Sequence, residues 1–392
     1  MRVVLYTETF LPHVDGMVTR LTHTLDWLRR MGDEALVIAP SLDGLPREHA
    51  GATVIGAPSM VVPMYRDLKF GFPALFPRIS DAIEEFAPDV IHAANPFLTS
   101  VGGIQYARRH GVPLVASFHT QVAEYVTRYR LGWLRHPLWR HVVRLHNLAD
   151  VNLCTSSPMQ RMLRDRGVPD VALWAPGVDA QRFTPRRRSA AWRERLSGGR
   201  PDAAILLYVG RLAPEKTLER LLPTLQQLPN VHLAFVGAGP EAASLRRVFS
   251  GAPVTFVGAL SGDDLADAYA SADIFALPSS TETLGLAAIE AMASGLPVIG
   301  ANRGGIPDIV LDGETGLLFD PDHPETLVRA ATLLTEDAAL RQRMGAAALS
   351  RARAWTWEAS TAGLRDYYAQ AIEAASRARR GTPARDAEAS TV

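Results

Sequence analysis

Thr281-Glu282-Thr283-Leu284-Gly285-Leu286-Ala287-Ala288-Ile289-Glu290-Ala291-Met292-Ala293-Ser294-Gly295 is the stretch from which the fold can be read. It follows Asp273-Ile274-Phe275-Ala276-Leu277-Pro278, an apolar run of strand length. Within it Leu286, Ile289 and Met292 recur at helical spacing, and Gly295 is a good stop residue for the helix. Pro297-Val298-Ile299-Gly300 then resumes as a strand. Glu282 therefore falls in a strand-to-helix loop, at the carboxyl edge of a parallel sheet, where open α/β folds bind ligands.

Glu290 follows Glu282 by a spacing that would set the two carboxylates about 80° apart if both were helical, so they need not do the same job. A helix start attracts phosphate through its free N–H groups and its dipole. A carboxylate repels phosphate but accepts well from sugar hydroxyls. The pattern fits a sugar nucleotide, with one carboxylate for each sugar ring. It also fits a capping carboxylate and a surface Glu on an amphipathic helix, and spacing alone leans towards that plainer account.

The chain has 392 residues, 47% of them apolar, enough for two domains with full cores. The 41 basic and 41 acidic residues balance, which disfavours a nucleic-acid partner. Cys154 is the single cysteine, so there is neither a disulfide framework nor a cysteine zinc site, and it reads as a buried strand residue. The opening Arg2-Val3-Val4-Leu5-Tyr6 reads as a core strand rather than a signal peptide, and no apolar run reaches membrane-spanning length. A cytoplasmic protein, peripheral to a membrane at most, is expected.

Strands and helices alternate along the first half. Strands are expected at 3–7, 35–39, 53–55, 89–92, 114–118 and 151–155, with helices at 16–31, 72–86, 98–110 and 133–148. This implies a parallel, doubly wound sheet. Pro176-Gly177-Val178-Asp179 and the basic run that follows mark a boundary, after which a second alternating series begins. The expected division is a first Rossmann-like domain over 1–180 and a second over 181–355. A closing helix over 356–376 crosses back to the first domain, and 377–392 forms a disordered tail.

Gly16, at the first strand-to-helix turn, would let backbone approach a ligand, or is simply a turn glycine. Arg211 and Lys216, in the loop after the first strand of the second series, suit a diphosphate, or form a solvated loop with Glu215. Gly237-Ala238-Gly239-Pro240 is another turn at that edge. Between Arg128 and His146, arginines including Arg130, Arg135 and Arg140 interleave with aromatics including Trp133 and Trp139. This fits a helix on an anionic membrane surface, or an amphipathic helix packed on the sheet. Asp263-Asp264 and Asp320-Asp322 are the nearest approach to a carboxylate pair for a metal, and both read as helix N-caps; no metal site is expected.

The E-x7-E pattern of Glu282 and Glu290 stands with Pro278-Ser279, Gly285 and Ser294-Gly295-Leu296-Pro297-Val298. Together with Val209-Gly210-Arg211-Leu212, Lys216 and Pro176-Gly177-Val178-Asp179, this ordered set resembles glycosyltransferase family 4, retaining enzymes of GT-B fold, from Arg2 to about residue 375. The resemblance implies that Arg211 and Lys216 hold the donor diphosphate and Glu290 the ribose hydroxyls. It places Glu282 by the donor sugar, with the backbone N–H groups of Thr283, Leu284 and Gly285 near sugar and phosphate. His119 would face the sugar from the first domain, Gly16 would line that side of the cleft, and Leu260 would stand where the base is read.

Ser117-Phe118-His119-Thr120, Asp89-Val90-Ile91-His92-Ala93 and Glu282-Thr283-Leu284-Gly285-Leu286 further resemble sulfolipid synthases. GDP-mannose-dependent mannosyltransferases look similar over much the same length. The implied reaction moves a hexose, sulfoquinovose or a relative, from a nucleotide diphosphate to a lipid such as diacylglycerol, with retention and without metal or other cofactor. A mannosyltransferase on a glycolipid, or an epimerase or hydrolase of similar fold, are the alternatives. Membrane contact would fall to Arg128, Arg130, Trp133, Arg135, Trp139 and Arg140.

Overall fold

The strand Arg2–Thr7 sits in the middle of an eight-stranded sheet. Its alternate residues feed two separate cores, as the period of a pleated strand requires. Val3 and Leu5 pack with Leu21, Leu25 and Leu28 of the helix Gly16–Arg30, and with Leu364, Tyr368 and Ala371 of the final helix Trp357–Gly381. Val4 and Tyr6 pack on the opposite face with Ile79 and Ile83 of the helix Pro77–Phe86 and Ile104 and Ala107 of the helix Ser100–His110. The molecule is described here from a computed structural model covering residues 1–62, 65–71, 77–121, 124 and 131–381.

The strands of this sheet run in the order Val171–Leu173, Val151–Cys154, Leu114–Phe118, Val90–Ala94, Arg2–Thr7, Glu34–Pro40, Ala52–Ala57 and Glu48–His49. All pair in parallel except the last, which runs antiparallel to its neighbour. The second sheet has six parallel strands, ordered Val254–Gly258, Val231–Val236, Ala204–Val209, Ile274–Leu277, Val298–Ala301 and Gly316–Phe319. From the central strand Ala204–Val209 the chain first builds to one side and then, with Ile274–Leu277, to the other. The loops after these two strands diverge and leave a crevice between them, the usual ligand position in such sheets.

The chain crosses between the two halves twice, and the crossings touch. The Val178 N–H donates to the Trp355 carbonyl at 2.9 Å, and the His23 ring stacks on Trp357 at 4.8 Å. A Cβ on Gly177 would lie 2.2 Å from the Trp357 ring, so only glycine fits there. The basic run ahead of the second sheet is tied down locally: Arg187 pairs with Asp267 at 2.6 Å and Arg188 with Asp273 at 3.0 Å.

Several expected elements differ. The helix placed at 72–86 begins at Pro77, and 72–76 lie outside the described residues. An antiparallel hairpin, Ser59–Val62 with Tyr65–Gly71, precedes it and was not anticipated, because its strands lack the apolar alternation of a core strand. The helix of 133–148 is a short 3-10 turn, Gly132–Leu134, followed by Arg135–His146. The closing helix runs on to Gly381, with Arg377 paired to Glu373 at 3.0 Å one turn back; of the expected tail, 382–392 lie outside the described residues.

Neither acidic pair caps a helix. Ser261 stands at the cap ahead of Gly262–Ser271, and Asp263, one residue into that helix, pairs with Arg182 at 3.4 Å. Asp320 closes a tight turn by accepting from the Asp322 N–H at 3.0 Å, and Asp322 pairs with Arg303.

Candidate active site

The carboxyl edges of the two sheets face each other. From the second domain the loop 278–285 reaches across, and Thr283 ties it to the first. The Thr283 hydroxyl donates to the His119 carbonyl at 2.5 Å, and its own carbonyl accepts from the Thr155 hydroxyl at 2.9 Å. Nearby, Asp308 accepts from the Ser157 N–H at 2.5 Å, so a carboxylate of the second domain sits at the start of the helix Ser157–Asp165 of the first. Gly16 lies opposite Leu286: a Cβ there would be 3.9 Å from the Leu286 Cβ, ordinary contact, so the protein itself does not demand glycine at this position.

Helix starts differ in what occupies them, and this sorts the cleft electrostatically. Asp15 caps Gly16–Arg30, accepting from the Val18 N–H at 2.8 Å. The Glu8 carboxylate takes the N–H groups of Phe97, Leu98, Thr99 and Ser100 at 2.9 to 3.1 Å, filling the start of the helix Ser100–His110. Asp308 covers a third. The helix Leu286–Ala293 has no side-chain cap and no acidic residue in its first turn. Its N-terminus is the one of these four that keeps its positive end for a ligand. Gly285 precedes it at φ 86°, a left-handed conformation that glycine adopts without strain. Leu284 is buried beneath the loop.

Lys216 and Glu282 meet across the crevice, Nζ to Oε1 at 2.5 Å. Burial presses the lysine towards its neutral form, but the Glu282 carboxylate more than reverses this and holds the ammonium charged. Arg211 is further out, 3.8 Å from the buried Glu215. Glu290, half-buried one face further round, accepts from the Tyr269 hydroxyl at 2.9 Å, while burial pushes its carboxyl up to about 7. Leu260 follows Gly258 at the same sheet edge and packs partly against the core. The structure thus brings Arg211, Lys216, Glu282, Thr283, Leu284, Gly285, Leu260 and Glu290 to one sheet edge, and His119 and Gly16 to the edge facing it.

Sequence reasoning missed the residues that hold these in place. A Cβ on Gly304 would lie 2.2 Å from the Glu282 carbonyl oxygen and one on Gly305 2.3 Å from that of Thr283, so this glycine pair seats the 278–285 loop. The Gly305 N–H donates to Glu282 at 2.7 Å. The adjacent glycines after a strand were the available signal. Tyr269, Asp308 and Thr155 carried none, since a polar residue on a helix or loop has many uses.

The basic helix divides in two. Arg128 and Arg130 lie outside the described residues. Trp139 does not face outward: it is buried, stacks on Phe118 with ring centres 5.8 Å apart, and donates to Glu124 at 2.9 Å. Helical spacing from Val142 and Leu145, both core residues, puts it on the inner face. Arg135 is engaged with the same Glu124 at 2.8 Å. Trp133 is 74% exposed, and Arg140 and Arg144 line an open groove of about 910 Å³ along the helix with His136 and Arg166.

Among solved structures, sucrose-phosphate synthase from Thermosynechococcus elongatus superposes with a TM-score of 0.80 at 23% identity, covering 95% of this chain and 99% of that one. Anabaena Alr3699/HepE in complex with UDP-glucose follows at 0.76 and 19%, covering 94% and 99%. Two Rossmann-like domains meeting edge to edge in this way make the fold GT-B. Residues 14–182 match the model of Glycosyltransferase Family 4, and 192–351 match Glycosyl transferases group 1. Sulfoquinovosyl transferase SQD2 of Arabidopsis thaliana is 40% identical over 379 residues, 95% of this chain and 74% of that protein. The GDP-mannose-dependent alpha-mannosyltransferase of Mycolicibacterium smegmatis is 40% identical over 362 residues, 91% and 94%. The chain belongs to this family of glycosyltransferases.

Proposed function

We propose that the chain transfers a hexose from a nucleotide diphosphate to a hydroxyl of a lipid or glycolipid, with retention at the anomeric carbon and without a metal ion. The observation that carries this reading is the uncapped start of Leu286–Ala293 beside Lys216 and Arg211, at the crevice where the second sheet reverses its strand order. The diphosphate enters there, and Lys216 exchanges its Glu282 partner for phosphate oxygen. Glu282, released, accepts from hydroxyls of the sugar, and Glu290 accepts from those of the ribose.

As the bond from the anomeric carbon to phosphate oxygen breaks, negative charge grows on the leaving diphosphate, where the two cations and the helix dipole stabilise it. The acceptor hydroxyl oxygen forms the new bond on the face the diphosphate leaves, and its proton passes to the departing phosphate oxygen. No side chain is then required as a base. The lipid acceptor is supported by similarity to the alpha-monoglucosyldiacylglycerol synthase of Streptococcus pneumoniae at 27% identity, and sulfoquinovose as the sugar by similarity to the Arabidopsis protein.

Docking at an anionic membrane through Arg140, Arg144 and Trp133 would bring such an acceptor to the cleft; among the described residues no helix is long and apolar enough to span a bilayer. The test is incubation with UDP-sulfoquinovose or GDP-mannose and either diacylglycerol or a glycolipid in vesicles, followed by NMR of the anomeric proton. One donor giving an α-linked lipid is expected. Nucleotide release at equal rates with and without acceptor would instead indicate a hydrolase or epimerase.

A further inference from the structure

A run of side-chain hydrogen bonds connects the final helix to the cleft. The Tyr368 hydroxyl lies 2.8 Å from Nδ1 of His92, His92 Nε2 lies 2.7 Å from the Ser117 hydroxyl, and that hydroxyl lies 2.7 Å from Nε2 of His119. All four side chains are buried. The donor-sugar reading uses only the last of them.

Each bond holds one proton, so either the run points one way or the other, or both imidazoles donate to the Ser117 hydroxyl. The last pattern leaves the buried Ser117 proton without an acceptor among the described residues. If Tyr368 donates, then His92 donates from Nε2 to Ser117, Ser117 donates to His119, and His119 carries its own proton on Nδ1. If the run is reversed, the Tyr368 proton is left in the core with no acceptor among the described residues, and an orphaned buried donor is what folded proteins avoid. The first direction satisfies every group inside the run and leaves only the His119 Nδ1 proton without a partner among the described residues. It requires both imidazoles to be neutral, and the surroundings enforce this. Burial, and then the nearby Arg20, hold His92 down at about 3 and His119 well below its ordinary value. Arg20 is itself sealed in, lying over the Trp174 ring at 3.8 Å and donating to the carbonyls of Trp174 and Ala175 at 2.8 and 2.6 Å.

We propose that Tyr368 is a positioning residue: through His92 and Ser117 it fixes His119 as the Nδ1–H tautomer, so that the ring presents a hydrogen-bond donor to an oxygen of the donor sugar. The proposal rests on the reading that His119 faces that sugar. It gives the final helix, which crosses back from the second domain, a part in the chemistry of the cleft.

The test is long-range proton–nitrogen NMR of protein labelled with nitrogen-15 histidine, which separates bare from protonated ring nitrogens, with His119→Gln assigning the signals. The parent should show His119 protonated on Nδ1 alone. Tyr368→Phe and Ser117→Ala should each give a mixture of tautomers. Each should also lower kcat by roughly five- to tenfold, the worth of one neutral hydrogen bond, with little change in the donor KM. Should Tyr368→Phe fail to fold, Ser117→Ala carries the test, and Ser117→Thr should restore both the tautomer and the rate. A parent His119 protonated on Nε2, or one that stays wholly Nδ1–H in both variants, overturns the relay. His119→Gln tests the underlying reading separately: unchanged donor binding and turnover would remove the sugar contact, and with it the purpose of the relay, whatever the spectra show.

Discussion

Replacing Lys216 by alanine removes a cation from the diphosphate and also leaves Glu282 without its partner at 2.5 Å. The two consequences can be separated. A charge-assisted hydrogen bond is worth about 1.5–3 kcal/mol, so losing the contact to a charge that grows as the bond breaks should cost roughly 10- to 150-fold in kcat. The stranded Glu282 carboxylate would in addition repel the diphosphate in the ground state and weaken donor binding. Adding Glu282→Gln to Lys216→Ala should then recover donor affinity, read by calorimetry, while kcat at saturating donor stays low. Glu282→Gln alone should weaken donor binding through the sugar hydroxyls it no longer accepts from as strongly. The four proteins form a double-mutant cycle. A coupling in donor binding below about 0.5 kcal/mol would mean the two residues act independently at the site. An unchanged kcat in Lys216→Ala would refute the diphosphate role.

Glu290→Ala should weaken donor binding by roughly 10- to 100-fold, the value of hydrogen bonds to a carboxylate, and an unaltered dissociation constant would remove the ribose contact. Because burial raises the Glu290 carboxyl from 4.5 to about 7, the native state binds more protons than the unfolded chain between those values. Stability of the ligand-free protein should therefore fall as pH rises through that window, and donor affinity should rise as the carboxylate ionises; Glu290→Gln should flatten both profiles in thermal melts and titrations. Transfer should persist in EDTA, and complete loss restored by magnesium or manganese would show that the phosphate site has been misread. The protein should float with phosphatidylglycerol vesicles at low salt and release at high salt. Arg140→Glu with Arg144→Glu should weaken this by well over the roughly 1 kcal/mol that each basic group contributes near such a surface. Flotation indifferent to salt and to these changes would end the membrane proposal.

What the sequence determined by itself was the alternation of the chain and the place of its chemistry along it. Apolar runs of strand length separated by helical periods can form only layered, mostly parallel sheets, because each period buries one kind of face. The turn at Glu282, the helix stop at Gly295 and the loop of Arg211 and Lys216 followed from local chemistry that tertiary packing did not override. Tertiary structure decided whatever depends on partners distant in the chain. Trp139 and Trp133 belong to the same basic aromatic segment, yet one is buried against Phe118 and the other stands in solvent. Trp133 stands in the 3-10 turn ahead of the helix, and Trp139 shares the helix face that the first sheet covers.

The sequence likewise could not say which helix starts are free, because Glu8 fills a start 92 residues away and Asp308 one 151 residues away. Nor could it join Tyr368 to His92 across 276 residues. A carboxylate or hydroxyl reads the same in sequence whether it meets water, a helix end or an imidazole. Folding selects among these, since a buried polar group must find a partner and the fold determines which partners are within reach.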